Sequence, residues 1–180
     1  MTSYAIFLRG VNVGGINIKM ADLKKALKGL PLQSLATLLA SGNIVCRADS
    51  TADEVKAMVE KCLRDNFGYD AWVVVLTAER LAELVDVCPY PADSNEQHAY
   101  VTLGSDTAIL DELYSLATEL DGLDQTWLGP EAMAWLAPVG GTLESPFSKL
   151  SAKTRYKSTT TTRNLRTLIK VRDAALAPGA

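Results

Sequence analysis

The stretch Leu8-Arg9-Gly10-Val11-Asn12-Val13-Gly14-Gly15-Ile16-Asn17 is the part of the sequence best equipped to hold an anion. It follows an apolar run that reads as a strand and precedes a helical pattern, which is where phosphate-binding loops occur. Gly10 and Gly15 have the GxxxxG spacing of a P-loop. Ile16 and Asn17 stand where that loop needs Lys and Ser or Thr, so Walker chemistry is excluded. GxGxxG is not met either. What remains is a run of backbone N–H groups that could cradle an anion, with Arg9, Asn12, Gly14, Gly15 and Asn17 as the expected binding residues. The competing reading is architectural: Gly14 and Gly15 supply positive φ and re-aim the chain.

A second chemical feature lies towards the other end. Ser145 to Arg172 contains no Asp or Glu but holds Lys149, Lys153, Arg155, Lys157, Arg163, Arg166, Lys170 and Arg172. That segment is +8, and the remaining 10 basic and 21 acidic residues make the rest −11. The net charge of −3 excludes a general polycation. It does not exclude one localised anion site, which such asymmetry can mark. Tyr156 and the hydroxyl run Ser158 to Thr162 add groups suited to phosphate oxygens. Lys170 and Arg172 are explained by the dipole at a helix C-terminus, and pairing with the acidic body is the bland reading of the whole segment. Lys149, Arg163 and Asn164 are the residues expected to bind ligand.

Other chemistries find little support. His98 is the sole histidine and sits in an apparent strand, where a structural role is expected. Without CxxC spacing no metal site is expected, and no cofactor is expected. Cys46, Cys62 and Cys88 are an odd count set among apolar neighbours, which indicates reduced thiols and a cytoplasmic location. The start of the chain lacks the basic and long apolar regions of a leader and is expected to be mature sequence. No membrane partner is expected: the long uncharged run Gly29 to Cys46 is broken by Pro31, Gln33, Ser34 and Asn43. The composition, 48% hydrophobic and 22% charged, rules out disorder and a disulfide scaffold.

The elements that must position these residues follow from periodicity. Tyr4 to Leu8 reads as an internal strand, and Met20, Leu23, Leu27 and Leu30 recur at helical spacing. Leu35–Ala40 and Ile44–Ala48 are strands flanking the hairpin signal Ser41-Gly42-Asn43. Thr51 and Glu54 form a capping box, and Gly68 ends the helix it starts. Ala71 to Leu76 is another strand, and Thr77 caps a helix that stops before Pro89. The stretch 89–96 holds the turn formers Pro89, Pro91, Asp93, Ser94 and Asn95. Beyond them come a strand to Leu103, a helix over Thr107–Leu120, a hairpin about Gly129-Pro130, a short segment Pro146–Ala152, a polar Thr/Ser stretch, and a final helix from about Thr162 to Ala177.

The fold class is therefore α+β: two ferredoxin-like β-α-β-β-α(-β) subdomains, whose shared order suggests an internal duplication, with a C-terminal helix. The expected domains are 1–88, with the linking helix, and 97–180, with the basic segment, joined by a linker at 89–96. In this order the Gly10–Asn17 loop, the Ser41-Gly42-Asn43 turn and the Gly68-Tyr69-Asp70 connection meet at one sheet edge. That adds Ser41 and Asn43 to the expected ligand-binding residues.

The LRGVNVGG run at 8–15, Met20, Leu23 and the Ser41-Gly42-Asn43 turn resemble the signature of domain-of-unknown-function family 1697. Ser148-Lys149-Leu150 and Thr161-Thr162-Arg163-Asn164 resemble its second signature. The resemblance covers essentially the whole chain. It implies an α+β fold of two similar subdomains, found widely in bacteria, and no established activity. The chain departs from it at Leu165, where relatives usually have Trp, and at Ile16, where Lys is common.

Three functions are consistent with these residues. The foremost is a binding module for a nucleotide, a nucleic acid or a phosphorylated small molecule, using the Gly/Asn loop and the basic segment. The second is an enzyme on a phosphorylated or carboxylated small molecule, with Lys149 and Arg163 holding the anion; it lacks an obvious acid/base pair. The third is a structural or partner-binding protein with architectural Gly loops, and Trp72, Trp127 or Trp135 in an exposed patch.

Overall fold

The computed structural model describes residues 1–9, 17–142 and 144–177. The chain forms two compact units, Met1–Ala82 with Lys170–Ala180, and Glu83–Ile169.

The first unit contains β1 (Thr2–Arg9), α1 (Met20–Leu27), β2 (Gln33–Leu38), β3 (Asn43–Ala48), α2 (Ala52–Phe67) and β4 (Trp72–Thr77). Its sheet has the order β2-β3-β1-β4, with every pair antiparallel. This is the ferredoxin-like arrangement. Tyr4 to Leu8 are all buried, as two-faced hydrophobicity requires of a central strand. Tyr4, Ile6 and Leu8 pack in one cluster with Leu23 and Leu27 of α1 and Val55, Val59 and Leu63 of α2. The start of α2 is fixed locally. Thr51 Oγ1 accepts from the Glu54 N–H at 3.3 Å, and Glu54 Oε2 accepts from the Thr51 N–H at 2.7 Å. Gly68 ends it at φ +65°, a left-handed conformation that disfavours a side chain. Thr77 Oγ1 accepts from the Arg80 N–H at 3.1 Å at the start of α3 (Ala78–Val87). Residues 88–96, within the second unit, form neither helix nor strand.

The second unit repeats the order with β5 (Gln97–Gly104), α4 (Thr107–Ala117), β6 (Gln125–Gly129) and β7 (Ala132–Pro138). Two short helices follow, α5 (Pro146–Ser151) and α6 (Thr154–Lys157), and then β8 (Thr160–Asn164). The sheet order β6-β7-β5-β8 is the counterpart of the first, again wholly antiparallel. Its core is aromatic: Trp135 stacks on Tyr100 at 4.9 Å and meets Phe147 at 4.6 Å, among Leu110, Leu113 and Met133. Gly104 permits the close approach of α4, since a Cβ there would lie 3.2 Å from Leu110 Cβ.

The end of the chain departs from the sequence reading. The final helix, α7 (Leu165–Leu176), starts three residues later than Thr162, and the polar run before it is strand β8. Thr160, Thr161 and Thr162 are β-branched and pair with Gly104, Leu103 and Thr102 of β5. The bracketed last strand of the second subdomain is therefore present.

Candidate functional site

In the first unit the described parts of the expected site meet at one sheet edge. The Leu8 N–H donates to Gly42 O at 2.9 Å, Phe7 pairs with Asn43, and Arg9 pairs with Trp72. Asn43 is fully buried at the start of β3. Its Nδ2 donates to Leu38 O and to Ser41 Oγ, both at 2.9 Å, so it closes the β2–β3 turn from inside. That turn holds two left-handed residues, Leu39 at φ +58° and Gly42 at φ +78°. Arg9 is half-buried, and burial pulls its guanidinium below the ordinary value. Asn17 and Ser41 are exposed. Asn12, Gly14 and Gly15, with Ile16, lie outside the described residues.

Tyr69 belongs to the same edge and was not singled out as a site residue by sequence reasoning. Its hydroxyl is buried without a hydrogen-bond partner among the described residues, and burial pushes its pKa up. The only sequence signal for it was its place beside Gly68 in one of three converging loops.

In the second unit the basic segment divides by what each side chain does. Arg163 is buried at 7% exposure. Its Nη1 donates to Thr161 Oγ1 at 2.7 Å and to Thr162 O at 3.0 Å, which ties it to its own strand. Asn164 precedes α7, and its Oδ1 accepts from the Arg166 N–H at 2.9 Å, a helix-capping bond. Leu165 follows, buried. Arg155 forks onto Glu112 of α4, Nε to Oε1 at 2.6 Å and Nη2 to Oε2 at 2.5 Å, and the Tyr156 hydroxyl donates to Glu112 Oε1 at 3.1 Å. The guanidinium beside it holds the Glu112 carboxyl below its ordinary range. Lys149, Lys153 and Lys157 are exposed and have no ion-pair partner among the described residues. Arg166 and Lys170 are also exposed and have no ion-pair partner among the described residues, so these lysines belong to a larger set of cations open to an external anion.

His98 lies on β5 with Nδ1 3.4 Å from the Tyr100 hydroxyl and Nε2 3.2 Å from Arg166 Nη2. Cys46, Cys62 and Cys88 are free thiols, and burial pushes Cys46 up to about 11. Among the described residues no three His, Cys, Asp or Glu gather as a metal site, and no helix is long and apolar enough to cross a membrane.

Comparison with known proteins bears on the fold. The model of a family described as protein of unknown function (DUF1697) matches residues 1–133. The structure of a conserved bacterial protein from Streptococcus pneumoniae superposes with a TM-score of 0.79 at 20% identity, covering 97% of this chain and 98% of that one. An unknown protein from Galdieria sulphuraria gives a TM-score of 0.26 at 11% identity, over 91% of this chain and 96% of that one, too low to carry an argument. No curated protein matches the sequence.

Proposed function

The chain belongs to the DUF1697 family of proteins of unknown function, and from that starting point we propose that it is a cytoplasmic binding module for a phosphate-bearing ligand, a nucleotide or nucleic acid. The observation that carries the reading is the set Lys149, Lys153 and Lys157. All three are exposed, have no ion-pair partner among the described residues, and stand in a stretch without a carboxylate. A lysine ammonium without a protein partner is a point charge for a phosphate oxygen. Arg163 and Asn164, which the sequence reading also expects to bind the ligand, follow in the same segment, where Arg163 Nη1 bonds within β8 and Asn164 caps α7. The Gly/Asn loop that follows Arg9 is the second expected contact. The matching order of elements in the two units is the support for reading them as an internal duplication.

Fluorescence anisotropy with a labelled single-stranded oligonucleotide, competed by ADP and inorganic phosphate, tests this. Affinity is expected to fall linearly with log salt, by about 0.7 units of slope per phosphate engaged. The triple variant Lys149→Ala, Lys153→Ala, Lys157→Ala should flatten the slope by about two units. Salt-insensitive binding, or a triple variant with the parent slope, would overturn the reading.

A further inference from the structure

An edge strand presents a row of unpaired N–H and C=O groups, a template for another strand unless something blocks it. The first sheet ends in β2 and β4, and the second in β6 and β8. These four edges are not treated alike. We infer that the outer edge of β2 pairs antiparallel with β2 of a second copy of this chain, about a twofold axis at Thr37, so that the two copies join their first sheets edge to edge. This pairing is independent of the lysine surface and of any ligand.

Side chains block two of the edges. The outward groups of Val73 on β4 are both taken: its N–H donates to Glu60 Oε1 at 3.0 Å, and its carbonyl accepts from Lys56 Nζ at 2.7 Å. On β8 the Thr162 carbonyl, which faces away from β5, accepts from Arg163 Nη1 at 3.0 Å. β6 is bordered by Asp124 and Glu131, carboxylates that a second copy of that edge would meet as like charges. β2 has neither device. Among the described residues the one side-chain bond to its backbone, from Asn43 Nδ2 to Leu38 O, comes from the β3 side. No Lys, Arg, Asp or Glu occurs from Gly29 to Cys46, and every residue from Gln33 to Leu38 is exposed or half-buried.

The ladder fixes which groups point outwards. The Leu8 N–H donates to Gly42 O, so Gly42 and, by alternation, Ile44 turn their backbone groups towards β1. Thr37 lies opposite Ile44 and therefore turns its N–H and C=O away from β3. A bulge with Ser34 at φ +50° interrupts the start of the strand and confines the regular edge to the residues after it. About a twofold at Thr37 the copies exchange both Thr37 bonds and Ala36 falls opposite Leu38. Leu39, 44% exposed at the end of the strand, comes beside Leu35 of the copy. The occupant follows from this register. The edge carries no charge that would select a foreign segment, and its own sequence meets it as Thr on Thr and apolar on apolar, with no like charges opposed.

Sedimentation equilibrium on the full-length protein over a concentration series tests this. The average mass should rise with concentration from the monomer value towards twice that value. Thr37→Lys sets two ammonium groups face to face at the axis, and Thr37→Pro removes the outward N–H while leaving the bonds to β3. Each should hold the mass at the monomer value, with circular dichroism checking that the fold is kept. If Thr37→Pro does not fold, Thr37→Lys is the test. Amide hydrogen exchange gives a second readout: exchange at Thr37 should slow as the parent is concentrated and should not change with concentration in Thr37→Lys. A parent that stays monomeric throughout the series, a dimer that survives Thr37→Lys, or a Thr37 amide in the parent whose exchange ignores concentration would each overturn the inference.

Discussion

The two units share a sheet order and differ in what joins their elements. In the first, β1 reaches α1 through residues 10–19; in the second, β5 reaches α4 through residues 105–106 alone, with Asp106 capping the helix at Ile109 N, 3.1 Å away. The frame beneath is the same: the Leu8 N–H donates to Gly42 O in one unit and the Gly104 N–H to Glu131 O in the other, both at 2.9 Å. The second crossover differs in the reverse sense. The first unit uses the 16-residue α2; the second uses α5 and α6, of six and four residues. Large rings, Trp135, Phe147 and Tyr156, then supply core volume that aliphatic residues of α2 supply in the first unit. In sequence, the residues proposed to bind ligand fall at those departures: after Arg9 in one unit, and in the α5–α6 segment of the other. A rigid sheet tolerates such variation in its connections, which is why sites collect there.

The largest expected effect probes the two cores. Trp135→Ala removes two ring contacts and the bond from its Nε1 to Thr102 Oγ1, and should cost about 3–5 kcal/mol in urea unfolding. Leu63→Ala in the aliphatic core should cost no more; if it costs clearly more, the idea that rings replace a helix is wrong. Next come the hairpins. Asn43→Ala leaves Leu38 O and Ser41 Oγ without that donor and should cost about 1–3 kcal/mol. Pro130→Ala in the exposed second hairpin should stay within about 0.5 kcal/mol, and equal losses would erase the contrast. Thr51→Ala, which breaks the capping box of α2, should cost about 1 kcal/mol by the same measurement.

The smallest effect is set by pH. Glu112 is held below its ordinary 4.5 chiefly by hydrogen bonding to Arg155. Its contribution is complete above that ordinary value and is lost as pH falls through the lowered folded value. Glu112→Gln should therefore narrow the gap to the parent as pH drops through that window. A gap that stays constant with pH would show that the fork adds nothing through its charge.

The parts of the fold dictated locally were legible. Five consecutive apolar residues marked β1, Thr51 with Glu54 marked the start of α2, and Gly68 marked its end. Strand β8 was not legible as a strand, because a run of threonines is polar by composition and becomes a strand only by pairing with β5, some 60 residues away in sequence. The same limit applies to the site. Charge marks the basic segment in the sequence, but nothing local says that Lys149, Lys153 and Lys157 are exposed while Arg163 is buried with Nη1 engaged. Tyr69 is distinguished by a buried hydroxyl without a hydrogen-bond partner among the described residues, a property only tertiary packing creates.

The exposed lysines 149, 153 and 157 also bear on how the protein handles in the laboratory. A chain with a pI near 5.2 would ordinarily be expected to pass through a cation exchanger at neutral pH. Here three ammonium groups without an ion-pair partner among the described residues share one unit with a 66-residue stretch, Glu83 to Ser148, that contains no Lys or Arg. A resin senses the face presented to it and not the sum. At low salt this protein is expected to adhere to both sulfonate and quaternary-amine beads, and the triple lysine variant to lose the first while keeping the second.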